Sequence, residues 1–296
     1  MRKLNLKRKE IILNDYKRRT AFLKDVNRFI EDDTIVYDNG VPIIAYINLK
    51  ENTDNLRWAV KNIKYGTGRR THGLKTQSTV FGFSPRYEQR SDYCTATALS
   101  VNNPKQHYLI SNFASVISKY YEKFFPKKYS EHKEIVKERV KKDWIIKNSP
   151  FTSGIVNKNN PLKYHCDSGN FKGVLSNMIV FKKDVSGGHL TIPEYDLALA
   201  VNDNSLTIFN GQDLVHGVTP IEYNNEKAYR YSAVYYSLER MWHCDTIDEE
   251  LIRIRKKKLI REKNRINPEH IKTLRKRQDE ALNYKKQIEK QQNTTY

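Results

Sequence analysis

From Thr152 to Leu238 the chain is written in short strand-like runs broken by turn residues, a texture that few folds accept. Ser176 to Phe181, His189 to Ile192, Ala198 to Val201, Ser205 to Phe209 and Tyr229 to Ser237 read as strands. Gly187-Gly188, Asp203-Asn204 and Asn210-Gly211 supply turns between them. Closely spaced strands with regular turn signals imply a sandwich or jelly roll rather than a parallel sheet.

What flanks this region is mostly helical in pattern. Residues 8 to 31 place Ile12, Tyr16, Leu23, Val26 and Ile30 at helical spacing among basic residues, which predicts an amphipathic helix. Thr34 to Asn48 predicts a β-hairpin around Asp38-Asn39-Gly40, and Asp54 to Ile63 a short helix. Residues 64 to 94 are loop-rich and carry Arg69, Arg70, Arg86 and Arg90, either facing a substrate or merely solvated. His107 to Phe125 and Ser130 to Trp144 predict two helices, the first with Leu109, Phe113, Val116, Ile117, Tyr120 and Phe124 as its buried stripe. Residues 247 to 265 and 269 to 292 predict two charged helices split by Asn267-Pro268, with a thin apolar seam at Leu274, Leu282 and Ile288. The expected architecture is α+β: a supporting helical and hairpin region over 1–150, a jelly-roll core over 151–246 and a basic helical tail over 247–296.

Charge bears on the partner. The formal net charge of +19 favours an anionic partner such as nucleic acid, and it is concentrated at the two ends. Residues 1–28 hold 10 Lys and Arg against 3 acidic residues, and residues 251–296 hold 15 against 5. No apolar stretch long enough to span a membrane occurs, and the opening Met1-Arg-Lys-Leu-Asn-Leu-Lys-Arg-Lys lacks the apolar run of a secretory signal. Cys94, Cys166 and Cys244 are odd in number and lack metal-site spacing, so neither a disulfide framework nor a zinc site is expected. These features predict a soluble protein of a reducing, intracellular compartment, cytoplasmic or nuclear.

The chemistry centres on Tyr164-His165-Cys166-Asp167-Ser168-Gly169-Asn170. A His-x-Asp triplet alone is weak, and His243-Cys244-Asp245 repeats it. The second copy has only His270 downstream, in the basic tail, and is rejected. The first precedes several strands and then His216, which a strand-turn-strand path can return to the same end of a jelly roll. Two neutral histidines and one carboxylate with open positions suit iron(II), whereas closed structural zinc sites favour four ligands including cysteine. Cys166 points to the opposite strand face, and His189 is set aside as a packed or surface histidine. Further on, Arg230-Tyr231-Ser232 puts a guanidinium and a hydroxyl on one strand face, the pair that grips the remote carboxylate of a dicarboxylate co-substrate.

With these residues in place the sequence resembles the 2-oxoglutarate and iron(II) dioxygenases, and most closely their TET/JBP branch. The resemblance rests on His165-Cys-Asp167-Ser-Gly-Asn170, Gly187-Gly188-His-Leu-Thr-Ile-Pro193-Glu194-Tyr195, His216-Gly217-Val-Thr-Pro220 and Arg230-Tyr-Ser232-Ala-Val-Tyr-Tyr, with an echo at Phe81-Gly-Phe-Ser-Pro-Arg86. It implies a double-stranded β-helix and oxidation of the methyl group of 5-methylcytosine or thymine in DNA. It also implies iron held by His165, Asp167 and His216, and 2-oxoglutarate held by Arg230 and Ser232. Asn170 matches a position beside the target base, and Arg86 is assigned to substrate. The chain lacks the cysteine-rich flank and long insert of animal TET proteins and the separate DNA-binding domain of JBP proteins, resembling compact viral or microbial members. Oxygenases acting on protein, RNA or free nucleotides, and a non-catalytic DNA-binding protein, are the competing readings.

Overall fold

The structure is a computed structural model that describes residues 1–69, 75–86 and 92–293. It divides into two compact units, one of residues 1–86 and 94–244 and one of residues 87–93 and 245–296.

The first unit is a sheet-rich mixture of α and β. Among the described residues its larger sheet runs in the order Arg2–Asn5, Thr34–Asp38, Val41–Asn48, Ser205–Phe209, Ser176–Lys183, Tyr229–Tyr236, Ser153–Lys158, Lys75–Ser84 and Gly66–Arg69, with Thr95–Ala96 branching from Lys75–Ser84. A smaller sheet runs Arg28–Ile30, Leu197–Leu199, Leu190–Ile192, His216–Val218, Leu162–His165. Alternation along the Ser176–Lys183 strand sends Met178 and Val180 to one face and Ile179 and Phe181 to the other, and both faces are buried. Met178 and Val180 join Ile44 and Tyr46 in a cluster shared with Leu190, Ile192, Leu197, Leu199 and Val218 of the smaller sheet. Ile179 and Phe181 join Leu56, Ala59 and Val60 of the helix Asp54–Lys61 and Ile110, Ala114, Ile117 and Tyr121 of the helix Pro104–Phe124. The larger sheet therefore has helices on one face and the smaller sheet on the other, which leaves the space between the sheets for a site.

Besides the paired strands Gly66–Arg69 and Lys75–Ser84, where the sequence predicts a loop-rich stretch, three sequence expectations need correction here. Residues 8–31 form no amphipathic helix: one turn at Leu13–Tyr16, a 3-10 turn at Leu23–Asp25 and the strand Arg28–Ile30 are all the regular structure there. The backbone finds partners elsewhere: the Arg18 N–H donates to Tyr164 O and the Tyr164 N–H to Arg19 O, while Arg28–Ile30 pairs in parallel with Leu197–Leu199. Tertiary pairing overrides a helical spacing whose energetic weight is small. The helix Pro104–Phe124 buries Ile110, Ala114, Ile117, Tyr121 and Phe124, about one position round from the expected stripe, and the next helix, Pro126–Arg139, stops short of the separate 3-10 turn Lys142–Trp144.

The third correction concerns cysteine. Cys94 and Cys244 are buried and joined in a disulfide, their Cα atoms 5.7 Å apart and 150 residues apart in sequence, while Cys166 stays free. Closing so long a loop restricts the unfolded chain, an effect of about 2–5 kcal/mol. A Cys94→Ser, Cys244→Ser double variant is expected to lose stability of that order in urea unfolding, with native circular dichroism retained; an unchanged midpoint in non-reducing buffer would show that the bond contributes nothing.

The second unit consists chiefly of the helices Ile247–Arg265 and Pro268–Asn293. Thr246 caps the first in a reciprocal arrangement with Glu249, and acidic residues fill its first turn while Lys263 and Arg265 occupy its last, matching the helix dipole. Leu274 is exposed, so no sealed seam forms there; the side chains of Leu282 and Ile288 lie outside the described residues. Among the described residues no helix is long and apolar enough to cross a membrane.

Candidate metal and co-substrate site

The strands Leu162–His165 and His216–Val218 are antiparallel neighbours, and their register sets His216 directly opposite His165. Each ring is oriented by its own backbone: His165 Nδ1 lies 2.8 Å from Lys163 O and His216 Nδ1 2.9 Å from Leu214 O. A carbonyl accepts, so Nδ1 carries the proton and Nε2 presents its lone pair. Asp167, two residues beyond the first strand, brings Oδ1 to 3.5 Å from His165 Nε2 and 3.8 Å from His216 Nε2. The ligand atoms of the three residues all lie within 4.8 Å of one another. Ligands about 2.1 Å from one metal centre sit about 3 Å apart when mutually perpendicular, so this set can close on a single ion with modest adjustment. Among the described residues it is the one group of histidine, cysteine and carboxylate side chains so arranged. Burial holds the His216 imidazole pKa down at about 4 against the opposing pull of Asp167, which keeps it neutral and able to coordinate.

The turn between Ser205–Phe209 and His216–Val218 shapes this end of the site. Asn210 Oδ1 accepts the N–H groups of Gln212 and Asp213 at 3.2 Å each, and Gly211 O accepts the Asp167 N–H at 2.8 Å. A Cβ on Gly211 would lie 2.5 Å from Asp167 Oδ2, so glycine is what gives the carboxylate its room. Phe209 meets the His216 ring edge to face at 5.0 Å.

The triad opens into a cavity of about 520 Å³ whose wall also includes Arg230, Ser232, Asn157, Asn170, Tyr236 and Leu238. Arg230 and Ser232 project from one face of the Tyr229–Tyr236 strand and are 2% and 4% exposed. Arg230 Nε and Nη2 are buried without a hydrogen-bond partner, and burial lowers the guanidinium pKa to about 10, opposed by the Tyr223 phenol. A buried cation with empty donors is costly unless an anion completes it. Asn157, across the strand pair from Ser232, donates Nδ2 to Ser232 Oγ at 3.3 Å, leaving the serine proton for another acceptor. The cavity wall thus holds a donor set that fits a carboxylate and a triad that fits a metal. Gly188, with φ +68°, packs against the guanidinium; a Cβ there would lie 2.8 Å from Arg230 Cδ.

Asn170 is buried in the same wall, its Nδ2 3.4 Å from Ser176 Oγ and its main chain bridged to Leu238. Arg86 sits just past the Lys75–Ser84 strand, half-buried, and is not among the cavity-lining residues; Arg70 and Arg90 lie outside the described residues. His189 rests its Nδ1 3.1 Å from Ala200 O and its ring on Phe29, away from the triad. His243 is exposed, and its neighbour Cys244 is in the disulfide. Asn157 went unnoticed in the sequence, and Gly188 and Gly211 stand there only as turn and motif glycines, not as neighbours of Arg230 and Asp167. Only Asn157 had a usable signal, since alternation places it with other cavity residues once strand pairing is known.

Three comparisons bear on this arrangement. A family model described as the oxygenase domain of the 2OGFeDO superfamily, Tet_JBP, matches residues 80–239, a stretch that contains the triad, Asn170, Arg230 and Ser232. Among solved structures, NgTET1 in complex with 5mC DNA superposes with a TM-score of 0.55 at 17% identity, covering 81% of this chain and 89% of that one. An oxidoreductase of the 2OG-Fe(II) oxygenase family from Burkholderia pseudomallei covers 80% of this chain and 96% of its own at 10% identity and a TM-score of 0.46. No curated protein sequence matches. The NgTET1 likeness shows a shared fold.

Proposed function

The chain belongs to the Tet_JBP family of 2-oxoglutarate- and iron(II)-dependent oxygenases, and from that premise we propose that it hydroxylates the methyl group of 5-methylcytosine or thymine in DNA. The single observation that carries the co-substrate assignment is Arg230, a buried guanidinium with unfilled donors in the same cavity as the metal triad. In this reading His165, Asp167 and His216 hold iron, and Arg230 with Ser232 binds the distal carboxylate of 2-oxoglutarate. Iron and 2-oxoglutarate together supply the oxidising chemistry, with succinate and carbon dioxide as co-products.

The remaining work falls to the protein's own groups. Ile155, Met178, Leu190, Phe209, Val218 and Val234 line the cavity and exclude water from it. Asn170 supplies an amide that can donate to or accept from a base edge. A base in duplex DNA must leave the stack to reach that amide, at a cost of a few kcal/mol. The basic ends of the chain offset this through phosphate contacts, and Arg86, outside the cavity wall, reaches nucleic acid beyond the target base. The two facing sheets correspond, in the same reading, to a double-stranded β-helix, with 151–246 as the catalytic core, 1–150 as its support and 247–296 as a basic tail. The location proposed is intracellular, where DNA is found.

Purified protein incubated with iron(II), 2-oxoglutarate, ascorbate and DNA carrying 5-methylcytosine is expected to release succinate and yield a hydroxylated nucleoside by mass spectrometry. Asp167→Ala is expected to give neither. Succinate release that RNA or peptide stimulates and DNA does not would replace the DNA assignment; product from the Asp167→Ala variant would overturn the iron assignment.

A further inference from the structure

Asp167 and Asn170 are three residues apart, one in the metal triad and the other in the wall beside it, and consecutive residues of a single turn hold them both. Gly211 accepts the Asp167 N–H at 2.8 Å. Gln212, the next residue, donates Nε2 to the main-chain oxygen of Asn170 at 2.8 Å. The turn itself is closed by Asn210, whose Oδ1 accepts the N–H groups of Gln212 and Asp213 and whose carbonyl accepts the Leu214 N–H at 3.0 Å. Apart from this tie, Asn170 is held by the bridge to Leu238 and by the long 3.4 Å contact with Ser176, and the preceding Gly169 takes φ +88°. The segment after Asp167 lies outside the helices and strands up to Gly173; Gln212 ties it to the turn on one side, while Glu239 N–H donates to Gly169 O at 2.9 Å and Phe171 N–H to Ser237 O at 3.1 Å on the other.

Gln212 is half-buried and does not line the cavity. It therefore acts on substrate only through Asn170. Its position in the turn that also serves Asp167 means that the same few residues set the metal ligand and the substrate-side amide relative to each other. A misplacement of about 1 Å at a reacting centre can cost about 100-fold in rate, so a tie of this kind carries weight.

We propose that Gln212 is a positioning residue: by donating to Asn170 O it holds the Asn170 amide in register with the metal triad, so that consumption of 2-oxoglutarate stays coupled to oxidation of the base. The inference rests on the reading of Asn170 as a base contact. In coupled turnover one atom of dioxygen enters succinate and the other enters the C–H bond of the methyl group. In uncoupled turnover the second oxidising equivalent is instead reduced by ascorbate, so succinate forms without hydroxylated base.

The test compares Gln212→Glu, Gln212→Lys and Asn170→Ala with the unaltered protein. It measures the ratio of hydroxylated nucleoside to succinate and, separately, the melting-temperature shift given by manganese(II) with 2-oxoglutarate. Gln212→Glu sets a carboxylate against a carbonyl and is expected to lower the ratio about tenfold with the ligand-induced shift unchanged. Lysine restores a donor and is expected to keep the ratio within about twofold of the unaltered protein. A ratio unchanged in Gln212→Glu while Asn170→Ala uncouples would overturn the role of Gln212 and leave Asn170 as a base contact. A ratio unchanged in Asn170→Ala would remove that premise and the inference with it. Loss of the ligand-induced shift in Gln212→Glu would mark the residue as a support of the metal site instead, against the proposal.

Discussion

Arg230→Met is expected to abolish the response to 2-oxoglutarate and at the same time to raise the melting temperature of the protein measured without it. The first effect follows from the loss of the cation that the co-substrate carboxylate would complete; removing one partner of a buried charge pair costs about 2–5 kcal/mol, or 30-fold and more in affinity. The second runs against the habit of treating buried polar residues as structural. Nothing among the described residues hydrogen-bonds to Arg230 Nε or Nη2, and its cross-strand neighbour Lys182 is another cation, its pKa lowered first by burial and then by Arg230 itself. A methionine keeps the unbranched apolar stem, gives up the guanidinium at the cavity wall and carries no desolvation penalty, and replacing a buried charge by an apolar side chain is neutral or stabilising by about 1–4 kcal/mol. Saturating co-substrate stabilises the unaltered protein by about 2.7 kcal/mol at one hundred times its dissociation constant, and the variant forfeits that gain. Thermal scans of both proteins with and without 2-oxoglutarate check both halves together. A variant that melts several degrees lower in both conditions would show that Arg230 supports the fold by a route other than an anion.

Gly211→Ala carries the other large effect, and it acts at the metal end. Gly211 has no left-handed φ, so alanine is conformationally acceptable there and, by restricting the unfolded chain, favours folding by about 0.4–1 kcal/mol. The added Cβ, however, would fall 2.5 Å from Asp167 Oδ2 and 3.3 Å from His216 Cε1. The carboxylate must swing away, and it has a ligand's geometry to lose. Metal affinity is expected to fall about 100-fold, at the upper end of what disturbing a ligand's immediate surroundings costs. Cobalt(II) titration followed by absorbance reads this directly, with the metal-free melting temperature equal to or above that of the unaltered protein. Unaltered cobalt binding would mean that Asp167 is not a ligand or that the turn yields freely.

The triad was legible in the sequence because its chemistry is carried by residue types that few other roles demand together. His-x-Asp before a strand, a histidine after several more, and Arg-x-Ser on one strand face are statements about side chains, and strand alternation preserves them whatever the pairing. The N-terminal stretch was not legible for the opposite reason. Ile12, Tyr16, Leu23, Val26 and Ile30 satisfy a helical period, but the partners that decide their conformation, Tyr164 and Leu197–Leu199, lie more than 130 residues away. Cys94 and Cys244 pose the same difficulty: 150 residues separate two cysteines whose spacing resembles no motif. Gly211 was legible as a turn residue but not as the neighbour of Asp167, since a glycine's letter records the freedom it has and not the atom it makes room for.

That misread N-terminal stretch touches both borders of the smaller sheet. Arg28–Ile30 covers the open side of Leu197–Leu199, and Arg18 and Arg19 exchange hydrogen bonds with Tyr164 on the open side of Leu162–His165. One continuous piece of chain thus pairs with both borders of the sheet that bears both histidines, and it lies outside residues 80–239, the part matched by the family. A fragment trimmed to those bounds would keep every proposed ligand and yet bare the edge of Ser205–Phe209 as well as those of Leu197–Leu199 and Leu162–His165, each a template for another molecule's backbone. What looks like a dispensable basic leader is therefore part of the hydrogen-bonded frame of the sheet that carries the proposed metal ligands.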